Sequence, residues 1–161
     1  MIKKSPRGFT LIELMVVVTI IILLSGVSLS SYFRFSQRQA AKNDARNFST
    51  TLRRVQAMAK NLVYPTGCTG LSGYLFYAAI NTQSVSADAV CSGARINVFS
   101  GEQVLSTATF SSPISITFEV GSGNASPFGE FPISNSNDDF TVVVKIDRNG
   151  VISTTDYEDY P

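Results

Sequence analysis

The chain is expected to fold as an α+β protein in which one long N-terminal helix packs against a mostly antiparallel β head. Three observations predict this. No proline falls between Phe9 and Tyr64, and the apolar residues of that stretch recur at helical spacing. After Pro65 the pattern changes to short β-like runs separated by Gly, Ser and Asn. The charge divides at the same place. Residues 1–60 carry ten Lys/Arg against Glu13 and Asp44, whereas residues 61–161 carry three (Arg95, Lys145, Arg148) against ten Asp/Glu, a balance of −7. With 161 residues there is room for one core and one extra element.

The first element opens on a short basic segment, Met1, Ile2, Lys3, Lys4, Ser5, Pro6, Arg7 and Gly8. From Phe9 an apolar run follows, broken by Glu13, and Leu14–Phe33 is twenty residues without a formal charge. At 1.5 Å per residue such a helix spans about 30 Å, the thickness of a hydrocarbon core. Lys3, Lys4 and Arg7 then stay in the cytoplasm, which places the C-terminal domain outside. A secretory signal peptide competes for this region, with Ser25, Gly26, Ser28, Ser30 and Ser31 as a mimic of its cleavage site. Its apolar region is only about 7–15 residues long, shorter than the run here. A plain signal anchor fits the hydropathy and leaves Glu13 unexplained. A carboxylate inside an apolar span costs a few kcal/mol and usually has a partner, unless it snorkels to the interface.

The residues Gly8, Phe9, Thr10, Leu11, Ile12, Glu13 and Leu14, behind a basic leader and ahead of a long apolar tail, resemble the type IV pilin and pseudopilin signature. The resemblance implies a pilin-like fold. It also implies that a prepilin peptidase removes residues 1–8 as a leader, cutting between Gly8 and Phe9, and that Phe9 becomes the N-methylated first residue. Glu13 would then pair with the Phe9 amine of a neighbouring subunit during assembly, since a buried carboxylate needs a cation. The implied partners are the peptidase, other pilin or pseudopilin subunits, the inner membrane and a filament assembly platform. The implied location is the inner membrane as a single-pass protein, then a periplasmic or cell-surface filament.

The helix divides into a transmembrane or filament-core half, 9–31, and an amphipathic stem, 32–64. Phe48, Leu52, Val55, Ala59 and Leu62 make an apolar stripe, with Arg38, Lys42, Arg46, Arg53, Arg54 and Lys60 largely off it. Pro65 and Gly67 are expected to end the run. Residues 25–31 are poor in helix formers, so this segment is read either as an ordinary helix or as one that bends or melts in a filament. The basic stem is open to several readings: a solvated face, a surface for anionic lipid, or a partner for acidic heads of neighbouring subunits. Nucleic acid is disfavoured by the −7 balance of the head.

The head, 65–161, is expected to contain strands at Tyr74–Ile80, Arg95–Phe99, Val104–Phe110, Ile114–Val120, Glu130–Ser134, Phe140–Asp147 and Val151–Thr155. Asn149-Gly150 marks the turn of a closing hairpin, Ser100-Gly101-Glu102 another turn, and Gly121–Gly129 a loop or irregular edge. The order of a strand ending at Phe118, a loop with Phe128 and Gly129, and a hairpin with Gly150 also resembles, more loosely, minor pseudopilins of the H/FimT-like type. Cys68 and Cys91 predict one disulfide in an exported chain, against free thiols or a redox pair.

The absence of histidine excludes Ser-His, Cys-His and His-metal chemistry. No phosphate loop or zinc spacing occurs, and no cofactor is expected. Acids cluster near the C-terminus, and Asp138, Asp139 and Asp147 are the candidates for a calcium site, against ordinary turn chemistry. The function that the resemblance implies is that of a structural subunit, a minor pilin or pseudopilin, of a type IV pilus or type II secretion filament, and not an enzyme. The alternative is an exposed major or minor pilin whose head binds a surface, a secreted protein or DNA.

Overall fold

The computed structural model describes residues 8–135 and 140–156, with the backbone alone at 25–31, 135 and 156. Among them the order is α1 (Leu11–Lys60), β1 (Gly73–Ala78), β2 (Ser84–Cys91), β3 (Ala94–Gln103), β4 (Ala108–Phe110), β5 (Ile114–Glu119), β6 (Ala125–Ser126), β7 (Gly129–Asn135), β8 (Thr141–Ile146) and β9 (Ile152–Asp156). The architecture is α+β, an N-terminal helix followed by antiparallel sheets. The chain forms two compact units, residues 1–36 and 37–161. The first contains the beginning of α1, and the backbone of 25–31 within it is helical.

In the second unit the rest of α1 supplies one wall of the core. Ala41, Ala45, Phe48, Leu52, Val55 and Ala59 are buried along it, at steps of three and four that keep them on one face. Phe48 sits between Phe110 and Phe76, with ring centroids 5.1 and 5.8 Å away. One sheet runs β3-β2-β1-β5-β6 and the other β4-β7-β8-β9. Their inward residues alternate as a pleated strand requires, for example Tyr74, Phe76 and Ala78 on β1 and Ile114, Ile116 and Phe118 on β5.

Between β3 and β4 the sheet pattern gives way to a polar clamp. Asp44, buried on the core face of α1, accepts five hydrogen bonds from one loop. Its Oδ1 takes Ser106 N at 3.0 Å and Ser106 Oγ at 2.7 Å. Its Oδ2 takes Thr107 N at 2.9 Å, Thr107 Oγ1 at 3.1 Å and Ala108 N at 3.0 Å. This corrects the strand expected over Val104–Phe110. Three successive N–H groups face one carboxylate and cannot alternate in a ladder, so only Ala108–Phe110 is strand. Val104 and Leu105 are buried nonetheless.

Two further expectations are corrected. Ser100-Gly101-Glu102 is not a turn between strands but lies inside β3. Val85 pairs with Glu102 and Ala87 with Phe99, so Ser86 faces an extra residue in a bulge. Gly101, at φ 64°, supplies the left-handed conformation, and its N–H donates to Ser86 Oγ at 3.0 Å. β2 was not among the expected strands. Its Val85, Ala87, Ala89 and Cys91 do alternate inward, but Ser and Ala are weak strand formers and hide that period. Within the expected loop Gly121–Gly129, β6 adds a two-residue pairing to β5.

The end of α1 also departs from expectation. The sequence pattern puts Leu62 on the apolar stripe, with Pro65 and Gly67 as terminators. The helix stops at Lys60, and Leu62 is half exposed at φ 54°. Val63 N donates to Met58 O at 3.1 Å and Leu62 N to Ala59 O at 3.4 Å, the six-to-one and five-to-two bonds of a Schellman cap. Tyr74 Oη donates to Val63 O and holds the cap in place. Cys68 and Cys91 form a disulfide, Cα–Cα 5.6 Å, tying the segment after the helix to the end of β2.

The closing hairpin β8–β9 turns through Arg148, Asn149 and Gly150. Gly150 N donates to Asp147 O at 2.8 Å, and Asp147 N to Val151 O at 3.0 Å. A side chain at Gly150 (φ 75°) would strike Gln56 Nε2 and Gly123 O at 2.1 and 2.4 Å. The reason is that buried Gln56 donates to both Gly123 O (2.9 Å) and Gly150 O (2.7 Å).

Two outcomes follow from these contacts. Burial alone raises the pKa of Asp44, but the bonds from Thr107, Ala108 and Ser106 outweigh it and hold the carboxyl below its ordinary value. Its contribution to stability is then complete above the ordinary Asp pKa of about 3.9 and is lost as pH falls through the lower folded value. Asp44→Asn is expected to cost roughly 3 kcal/mol in denaturant melts at neutral pH, with the gap to the native chain narrowing below about pH 4. Leu62→Gly, which removes a left-handed strain at an exposed site, is expected to stabilise by about 1 kcal/mol in the same melts.

Candidate processing and assembly site

α1 begins at Leu11 because Thr10 caps it. Glu13 N donates to Thr10 Oγ1 at 3.3 Å, while Thr10 N and Thr10 Oγ1 each donate to Glu13 Oε2 at 3.2 Å. This is a capping box, with the residue three places along the helix reaching back to the cap. It satisfies helix N–H groups that have no intrahelical partner, and it places a negative group at the positive end of the helix. The motif Thr-x-x-Glu was legible in the sequence, which had pointed instead to the cost of a lone carboxylate in an apolar run. Glu13 Oε1 makes no hydrogen bond among the described residues.

Gly8 and Phe9 precede the helix without regular structure, and Phe9 is 86% exposed. A Cβ at Gly8 would meet nothing within 4 Å. The described fold therefore sets no steric demand for glycine there. On both sides of Glu13 every described apolar side chain of 11–24 is exposed, between 47% and 77%. Thr19 resolves its own polarity by donating to Met15 O at 2.7 Å. Among the described residues no helix is long and apolar enough to cross a membrane. The expected span 9–31 includes residues 25–31, whose side chains lie outside that description.

Residues 3–29 match the prokaryotic N-terminal methylation motif. That motif is the type IV pilin signature. The match covers this N-terminal segment and supports a type IV pilin-like precursor. The motif places Gly8, Phe9 and Glu13 within its bounds, and it implies processing by a prepilin peptidase, assembly with other pilins, and a membrane-anchored stage before the filament. No curated protein and no solved structure matches the chain.

The remaining proposed site residues sit elsewhere. Cys68 and Cys91 are joined in the head. Of the calcium candidates, Asp138 and Asp139 lie outside the described residues. Asp147 Oδ1 accepts Arg148 N at 2.7 Å, which is turn chemistry. Among the described residues no group of three acidic, Cys or His side chains is placed to hold a metal ion. The residues that sequence reasoning missed are Asp44 and Gln56. Asp44 had a visible signal: it is the one acid between Glu13 and Lys60, and it falls on the same face as Ala41, Ala45 and Phe48.

The capping box has a direct readout. Thr10→Val is expected to speed amide hydrogen exchange at Glu13 by roughly fivefold, the equivalent of an ordinary N-cap contribution, while Thr10→Ser retains the slow exchange.

Proposed function

We propose that the chain is a structural subunit, a minor pilin or pseudopilin, of a type IV pilus or type II secretion filament, and not itself an enzyme. It is made as a single-pass inner-membrane precursor with its N-terminus in the cytoplasm. A prepilin peptidase cuts it after Gly8 and the new Phe9 amine is methylated. The methylation motif over residues 3–29, set on an open helix start, carries this reading.

Several features support it. Gly8 and Phe9 are exposed in a segment without regular structure, where a protease can reach them. The freedom around Gly8 suits a glycine required by a partner and not by the chain's own packing. The exposed apolar half of α1 needs lipid or neighbouring helices to cover it. The capping box holds the Glu13 carboxylate beside Thr10, one residue from the amine that cleavage creates, with Oε1 left for a cation from a neighbouring subunit.

The test is intact mass and N-terminal sequencing of the chain expressed with and without a prepilin peptidase. The expected product begins at N-methylated Phe9 and disappears when the peptidase or Gly8 is removed. A chain that still begins at Met1 with the peptidase present, or one cut near Ser30, overturns the proposal.

A further inference from the structure

The outward side of α1 in the second unit is a row of cations without acids. Arg46, Arg53 and Lys60 are exposed and seven residues apart, so they repeat on one side of the helix about every 10.5 Å. Asn47, Thr50 and Ala57 between them are exposed and uncharged. Surface helices ordinarily offset such cations with acids three or four residues away. Here the only acid of residues 14–60 is Asp44, which faces the core with both oxygens engaged by Ser106, Thr107 and Ala108. Arg54 is neutralised by Glu102, at 2.7 and 3.1 Å. By contrast Arg53 donates to Ile152 O, a neutral carbonyl, and keeps its charge.

The head carries the complement. Residues 61–161 hold three cations against ten acids. Of those cations, Lys145 is paired with Glu130 and Arg148 lies over the Phe128 ring. Glu119 and Asp147 are exposed and bonded only to uncharged donors: Ser122 Oγ and Asn124 Nδ2 for Glu119, Arg148 N for Asp147. Their loops are neighbours, since Ala125 N donates to Arg148 O and Gln56 bridges Gly123 O and Gly150 O.

We propose that the Arg46–Arg53–Lys60 row of one subunit docks on the Glu119 and Asp147 surface of a second copy of the chain. An anionic lipid surface would attract the same row, but it would also repel a head with a balance of −7, whereas a second copy supplies acids to the row and cations to the head. The contact is polar and salt-sensitive, and it sets which surfaces meet as subunits assemble. The inference names a surface for the assembly proposed above and rests on that reading.

The test mixes unlabelled and nitrogen-15-labelled full-length chain in membranes and joins amines to carboxylates with a carbodiimide. Cross-links from Lys60 to Glu119 or Asp147 between unlike-labelled copies are expected, lost with Lys60→Arg although assembly persists. Arg46→Glu with Lys60→Glu is expected to lower the yield of sheared filaments about tenfold at unchanged thermal melting, with recovery on adding Glu119→Lys and Asp147→Lys. Cross-links confined to single copies, or a yield unaffected by the reversals, overturn the proposal. Cleavage at Phe9 is scored separately, so an unprocessed chain counts against the subunit reading while the cross-links still report the contact between copies.

Discussion

The head depends on a single carboxylate taken out of water. Asp44 would be costly in a core if its oxygens were bare, and all the compensation comes from one loop, as three backbone N–H groups and two hydroxyls. That arrangement decides more than its own energy. By drawing the amides of 106–108 onto the helix, it ends β3 at Gln103 and lets β4, the next strand, begin at Ala108 in the other sheet. Both sheets are thereby placed on the same face of α1, and Phe48, one helical turn away, receives rings from each of them, Phe76 and Phe110.

The logic recurs towards the other end of the stem. Gln56 donates to two loop carbonyls at once, and Arg53 reaches Ile152 O on β9. Leu52, Val55 and Ala59 supply apolar burial, which is non-directional and would tolerate a helix shifted along or turned about its axis. The polar anchors at 44, 53 and 56 are directional and tolerate neither. Burial supplies most of the stability, and hydrogen bonds choose one register from many of similar area. Gly150 is glycine for a related reason: the turn needs φ 75°, and Gln56 occupies the space a side chain would take.

The N-terminal half of α1 is built on opposite terms. The described apolar side chains of 11–24 are exposed, while its one carboxylate is spent locally on the helix start. An exposed apolar surface of that kind gains by being covered from water. The methylation motif lies on this half.

The sequence by itself determined what depends on neighbours along the chain. The absence of proline to Tyr64, the helical apolar stripe, the hairpin at Asn149-Gly150 and the signature from Gly8 to Glu13 are all local patterns with local physical causes, and they specified the α+β class and the methylation motif. The Thr10–Glu13 box is equally local and was legible too. The tertiary structure decided what depends on partners far along the chain. It made Val104–Thr107 a loop, because Asp44 lies 62 to 64 residues from the amides it binds. It made Ser84–Cys91 a strand, because β1 and β3 offer edges that small residues alone would not seek. It put Leu62 in a left-handed cap, because Tyr74 holds the next carbonyl. Local propensity differs by only a few tenths of a kcal/mol per residue between such states, and a long-range hydrogen bond or buried ring outweighs it.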